Sequence, residues 1–485
     1  MTQPISRAEF ERMLLDPDIP DSALRPYVML DPLESSSLQP RIIANPEKVV
    51  TGGLESAMAL ASLNGVARWR RNQRYRARIT KGWSGPKVVA EGDSWFQYPL
   101  LLDDVIDHLS DEWAIYCVSA AGDLLRDMAR QDEIGVAVRA ERPDILLLSG
   151  GGNDVLGGGS LERHLHPYKP GGSAADHVNA SFDAMLKATL KIYADIVEGG
   201  LTAGANTVVC HCYDYAIPNA GKWLGRPLAR LGIVEPALQQ QILRVLIDRF
   251  HDGLVAMATP FGGRVHIADT RRTVNPGNWY DELHPTNQGY KGPAEKIRQT
   301  ARPSGLETKV IVPPAVDRPL QIADTTAVEA LLATSDERLL EELGRREIVI
   351  DLDPLAAGSM SLELTQSGLE SMGQSLRKLG ARILAQYQRQ LYDVLCGDGK
   401  DAVADRDELR NALNLSETAL TGALSSALIG IGCPPFLAPL IAAVVVRRGI
   451  NPAYQETCRI WGESLAEADR EKQDTEEVRP RPCMG

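Results

Sequence analysis

Ser94 stands in Gly92-Asp93-Ser94-Trp95, just past the apolar run Val88-Val89-Ala90. Far downstream, Asp281 and His284 lie three residues apart in Asp281-Glu282-Leu283-His284-Pro285. A free hydroxyl is a poor nucleophile, so it needs a base to take its proton and a third group to orient that base. A serine, a histidine and an aspartate are the residue types for this work. Between them, Gly150-Gly151-Gly152-Asn153-Asp154 follows a second apolar run, Ile145-Leu146-Leu147-Leu148. That segment brings a side-chain amide and open backbone, which suit a developing oxyanion. Alone, each of these pieces also reads as a turn, a loop or a helix start.

The elements around them explain how distant residues would meet. Five short apolar runs, at 88–90, 114–118, 145–148, 206–210 and 264–268, read as strands. Helical stretches near 124–138, 176–199 and 235–257 alternate with them. This alternation predicts a parallel sheet covered by helices, with ligands at the carboxyl ends of the strands. Ser94, Gly122 and Asn153 each fall just beyond such an end. The expected fold class is α/β, a flavodoxin-like three-layer α/β/α arrangement around a central parallel sheet, joined to a mainly helical C-terminal domain.

In order, Gly92-Asp93-Ser94, Gly122, Gly151-Gly152-Asn153-Asp154 and Asp281-x-x-His284-Pro285 resemble the four sequence blocks of the SGNH (GDSL-like) hydrolases. The resemblance covers residues of about 85 to 300. It implies Ser94 as nucleophile, His284 as general base and Asp281 as its orienter. It also implies an oxyanion hole from the backbone N–H groups of Ser94 and Gly122 and the Asn153 amide. The activity it implies is cleavage of an O-acyl ester, as by a carboxylesterase, deacetylase or lysophospholipase, with an acylated carbohydrate, a lipid or a small ester as substrate. Tryptophan follows the serine where leucine is common. The interval from Asn153 to Asp281 is long, which points to an inserted loop near Gly157–Gly172 or Pro218–Pro236. Trp95, Phe96 and Tyr98 read either as an apolar substrate wall or as packed core. Asp93 and Asp154 read as structural, and His211 and Asp214 as polar groups at the cleft. The glycine cluster matches no nucleotide-binding loop, and the chemistry calls for no cofactor and no metal. Cys210-His211-Cys212 has no second ligand pair at zinc spacing and reads as buried strand.

At 485 residues the chain exceeds one ordinary core. Its 44% hydrophobic and 24% charged residues are those of a globular protein. A net charge of −12 argues against general nucleic-acid affinity. The basic stretch Arg68–Arg78 reads as a solvated helix face. The first ten residues lack the apolar core of a secretion signal, and seven scattered cysteines suit reduced thiols; together they predict a cytoplasmic protein. The expected division is an N-terminal segment (1–84), the hydrolase-type domain (85–301), a linker (302–327), helices (328–465) and a charged tail (466–485). Uncharged residues 419–446 read as two short helices in a hairpin, with a membrane-contacting segment as the alternative. The second functional reading is an effector or scaffold whose C-terminal helices mediate oligomerisation, partner docking or membrane contact.

Overall fold

The computed structural model describes residues 3–31, 40–50, 63–131, 133–156, 161–221, 223–301, 325–352, 373–396, 417–430, 433, 437–448, 458–459 and 461–463. The chain divides into two compact units, Met1–Val310 and Ile311–Gly485. The linker apart from its last residues, the acidic stretch at 398–408 and the charged tail lie outside the described residues.

The first unit is built on five parallel strands: β1 (Lys87–Gly92), β2 (Ala114–Cys117), β3 (Ile145–Ser149), β4 (Thr207–His211) and β5 (Val265–Ala268). Their spatial order is β2-β1-β3-β4-β5. β1 and β3 are buried along almost their whole lengths, as strands covered on both faces must be, and their sequences are correspondingly apolar. Order 2-1-3-4-5 reverses direction between β1 and β3, the switch point where open α/β sheets take their ligands. Gly92 at the end of β1 is in register with Ser149 at the end of β3, so the turns carrying Ser94 and Asn153 start side by side.

Helices flank this sheet. Leu63–Thr80 (α1) contacts β2, and Ala180–Ala203 (α2) and Pro236–Ala258 (α3) pack on each other. Asn179 caps α2 by accepting from the Ser181 N–H, and Gly204 closes it in a left-handed conformation at φ 118°. α3 starts on Pro236, whose missing N–H would be unsatisfied there in any residue. The helix expected over 124–138 is present among the described residues as Leu125–Gln131 and Glu133–Glu141.

The basic stretch departs from expectation. It lies on α1, and Arg70, Arg71, Asn72 and Gln73 are buried rather than solvated. Arg71 donates to the Phe96 carbonyl (2.5 Å), Gln97 (2.8 Å), Asp104 (2.7 Å) and Asp107 (2.6 Å). Arg70 donates to the carbonyls of Met13, Leu14, Asp16 and Ile19 and to Asp21. The five-donor guanidinium satisfies oxygens that burial would otherwise orphan, which a charge count cannot reveal. The N-terminal segment carries a helix (Arg7–Leu14) and two small strand pairs. Phe10, Leu14, Leu24, Val28 and Ile42 form a small core against Leu63 and Ala67 of α1 and Leu100.

The described part of the second unit is helical: Thr325–Leu332, Asp336–Leu352, Gly373–Cys396, Glu417–Gly430 and Ala438–Arg447. A Cβ on Gly380 would lie 2.0 Å from the Leu340 carbonyl, so glycine permits the close approach of the second and third helices. The hairpin expected at 419–446 is present as the last two helices, and Ala438–Val446 is buried throughout. Among the described residues, no helix is long and apolar enough to cross a membrane. The expectation of uniformly reduced thiols is corrected: Cys396 is bonded to Cys458, 62 residues away. Sequence spacing could not reveal that two helical segments so far apart meet there.

Candidate active site

The turn after β1 is held from beneath. Asp93 accepts from the Trp95 N–H (3.0 Å), the Ser149 hydroxyl (3.2 Å) and the Tyr213 hydroxyl (2.6 Å). It therefore ties together the ends of three strands, β1, β3 and β4, and presents Ser94 at the rim. Burial raises the Asp93 carboxyl to about 6, against the donors that favour its ionised form. Tyr213, at φ 66°, occupies the left-handed region, a strain on the order of 1–3 kcal/mol that its bond to Asp93 helps to hold.

The structure brings the three sequence-predicted residues into a relay. Ser94 Oγ is 2.8 Å from His284 Nε2. His284 Nδ1 is 3.0 and 2.9 Å from the two Asp281 oxygens. Asp281 Oδ1 also accepts from the backbone N–H groups of Leu283 (2.7 Å) and His284 (2.8 Å). Burial pushes the Asp281 carboxyl up, but His284 and these two amides outweigh it and hold the group below its usual value. Asp281 is thus a charged acceptor that locks the ring with Nδ1 protonated and Nε2 open towards Ser94. The loop's far side is fixed by Tyr280, whose N–H donates to the His284 carbonyl (2.8 Å).

Trp95 has a geometric role. Its indole N–H donates to the Leu283 carbonyl (3.0 Å), fastening the histidine loop to the nucleophile turn. It also lines the cleft. Phe96 and Tyr98 do not line it: both are buried core, and Tyr98 meets the edge of His284 at 4.8 Å. Of the two readings left open for these three rings, packed core holds for Phe96 and Tyr98, and Trp95 alone of the three lines the cleft.

The oxyanion candidates are arranged around the same turn. Gly122 sits at φ 94°, a left-handed conformation that favours glycine. Among the described residues, the N–H groups of Ser94 and Gly122 have no acceptor. Asn153, in a short helical turn opened by Gly151 at φ 89°, donates one amide hydrogen to the Asp123 carbonyl (3.1 Å). Its second amide hydrogen is left for another acceptor. Ser94 and Asn153 line the cleft; Gly122 does not, and its tie to the site runs through Asp123.

Of the two polar groups expected at the cleft, one is found there and one is not. His211 lies below the cleft rather than in it, between Trp95 and Phe96 at 5.5 and 5.4 Å. Its Nδ1 accepts from the Tyr213 N–H, so Nε2 carries the proton and donates to Ser149 Oγ (2.7 Å). Burial lowers the ring to about 3, so it stays neutral. Asp214 lines the cleft, yet its oxygens are taken by the backbone N–H groups of Tyr215, Arg272, Thr273 and Val274. Cys210 and Cys212 are buried, and among the described residues no group of three or more His, Cys, Asp or Glu is placed to hold a metal.

Glu282 is the main residue that the sequence reading passed over, although it lies inside the Asp-Glu-Leu-His-Pro run. Its carboxylate accepts from four backbone N–H groups, those of Asn219 (3.0 Å), Trp223 (3.1 Å), Leu224 (3.1 Å) and Gly225 (2.8 Å). A Cβ on Gly225 would sit 1.4 Å from the Asn219 carbonyl, so only glycine fits this clamp. The 219–225 stretch, within one of the two regions where an inserted loop was expected, is thereby anchored to the loop of Asp281 and His284. The cleft itself holds about 590 Å³ of empty space, part of it open to solvent.

No protein-family model matches the chain, and no curated protein matches it. Among solved structures, it is similar to the N-terminal part of a Bacteroides fragilis protein containing a phosphatase domain, complexed with Mg. The identity is 12%, the TM-score is 0.27, and the match covers 47% of this chain and 54% of that one. The chain thus spans about half the length of that structure, and a likeness at this TM-score says nothing about chemistry.

Proposed function

We propose that the chain is a serine hydrolase of the SGNH (GDSL-like) kind, cleaving an O-acyl ester through an acyl-enzyme on Ser94. The observation that carries this reading is the Ser94–His284–Asp281 relay, with contacts of 2.8 to 3.0 Å, opening onto a cleft. Ser94 Oγ bonds to the acyl carbon as its proton passes to His284 Nε2. The alcohol oxygen then leaves with that proton as the ester C–O bond breaks. A water next gives a proton to His284 while its oxygen bonds the acyl carbon. The acid departs as Ser94 Oγ takes the proton back. Throughout, the ionised Asp281 stabilises the imidazolium. The Ser94 N–H and the free amide hydrogen of Asn153, both on the cleft, supply the donors for the oxyanion, each typically contributing about 2.7–4 kcal/mol to the lowering of the barrier.

The test is reaction with a fluorophosphonate probe and turnover of an aryl ester by the full-length protein and by Ser94→Ala. Labelling and turnover that vanish with Ser94→Ala are expected. A full-length protein that neither labels nor turns over any ester contradicts the reading.

A further inference from the structure

Much of the cleft's lining is hydrocarbon. Leu224, Leu243, Leu246 and Ile247 line it with Val155 and Leu156. Three of these come from α3, and Leu224 comes from the excursion that Glu282 clamps to the triad loop. The polar lining is confined to the nucleophile's own neighbourhood and to Asp214, whose carboxylate already accepts four backbone amides. A sugar ring placed against this wall would lose the hydration of its hydroxyls without replacement. An alkyl chain gains from the same surface.

Resting on the serine-hydrolase reading, we propose that this wall is an acyl pocket and that the substrate is an ester of an apolar acyl group longer than acetyl. Each methylene that enters such a wall is worth about fourfold in kcat/KM when fully buried. Leu224, on the excursion that Glu282 ties to the loop of Asp281 and His284, would help to hold the acyl carbon in register with Ser94.

The experiment uses full-length protein and aryl esters of acetate, butyrate, hexanoate and octanoate. Ala216→Leu and Ile247→Phe, both at half-buried lining positions, serve as pocket-filling variants, with fluorophosphonate labelling as the check on folding. The expected result is a kcat/KM rising about fourfold per methylene from acetate to at least butyrate. The filling variants are expected to lower the hexanoate-to-acetate ratio by about tenfold or more. A profile that is flat or falls from acetate onward overturns the proposal, as do filling variants that lower all esters equally. Ser94-dependent acetate turnover with no gain from longer chains sinks the acyl pocket alone. Absence of both labelling and turnover sinks the serine-hydrolase reading and this inference with it.

Discussion

Asp281 performs two tasks with one carboxylate. Its Oδ1 accepts the backbone N–H groups that shape the loop, and both oxygens face His284 Nδ1. In Asp281→Asn the amide keeps one acceptor for the loop but presents N–H to the ring, favouring the wrong tautomer. A kcat loss of about 10⁴-fold with little change in thermal stability is expected. Loss of both activity and fold in equal measure would instead make Asp281 a structural residue. His211 and Asp93 make a separate case, because their titrations oppose each other. His211 is lowered from 6.5 to about 3, so the unfolded chain binds its proton first. Its contribution to stability is full above pH 6.5 and is lost as pH falls towards 3. Asp93 is raised from 3.8 to about 6, so its contribution is full below 3.8 and is lost as pH rises to 6. At about 1.4 kcal/mol per pH unit, His211 outweighs Asp93 by on the order of 2 kcal/mol below pH 3, but by only on the order of 1 kcal/mol between pH 7 and pH 4. Urea unfolding of the full-length protein and of His211→Gln at pH 7 and pH 4 should show the parent losing more stability on acidification. A gap between the two that does not move with pH would contradict this account.

At the scale of elements, the site is two loops tied to one turn. Trp95 fastens the histidine loop to the nucleophile turn, and Glu282 fastens the 219–225 excursion to the same loop. Glu282→Gln puts an amide N–H₂ where backbone N–H groups need an acceptor. Hydrogen bonds to charged acceptors are worth about 1.5–3 kcal/mol each, so a stability loss of at least about 2 kcal/mol is expected. The kinetic mark is more specific: KM for long acyl esters should rise more than KM for acetate, because Leu224 loses its anchor. Equal effects on all esters would place Glu282 outside substrate discrimination. The strands, and the turns carrying Ser94 and Asn153, were legible because apolar runs ended by glycine report on local backbone. Asp281 and His284 were legible because they sit three apart in one loop. Glu282, Tyr213 and His211 were not, because their partners lie 57, 120 and 62 residues away. The arginines of α1 misled for a related reason: charge reads as exposure until the buried carbonyls and carboxylates that receive it are known. Phe96 and Tyr98 stayed open between wall and core in the sequence because adjacency to Ser94 does not decide which way a ring points.

For the molecule as a whole, the chemistry and the cross-link fall in different units. Every residue of the proposed site lies within Met1–Val310, and the Cys396–Cys458 bond lies within Ile311–Gly485. Cys117, Cys210 and Cys212 in the first unit are buried and unpaired, and burial raises all three thiols, leaving them poor at exchange. A reductant therefore acts on one unit. The bond closes a segment of 62 residues, and restoring that freedom to the unfolded chain costs the second unit about 4 kcal/mol of stability in the chain-entropy account. Thermal unfolding of the full-length protein with and without dithiothreitol tests this directly. The expected record is one transition moved down by reductant and one left in place. Loss of Ser94 labelling by fluorophosphonate should follow the unmoved transition, since Ser94 belongs to the first unit. Labelling lost with the reductant-sensitive transition would show instead that the helical unit supports the geometry around Ser94. A Cys396→Ala variant with an unchanged transition temperature would show that the bond contributes nothing to the helices it joins.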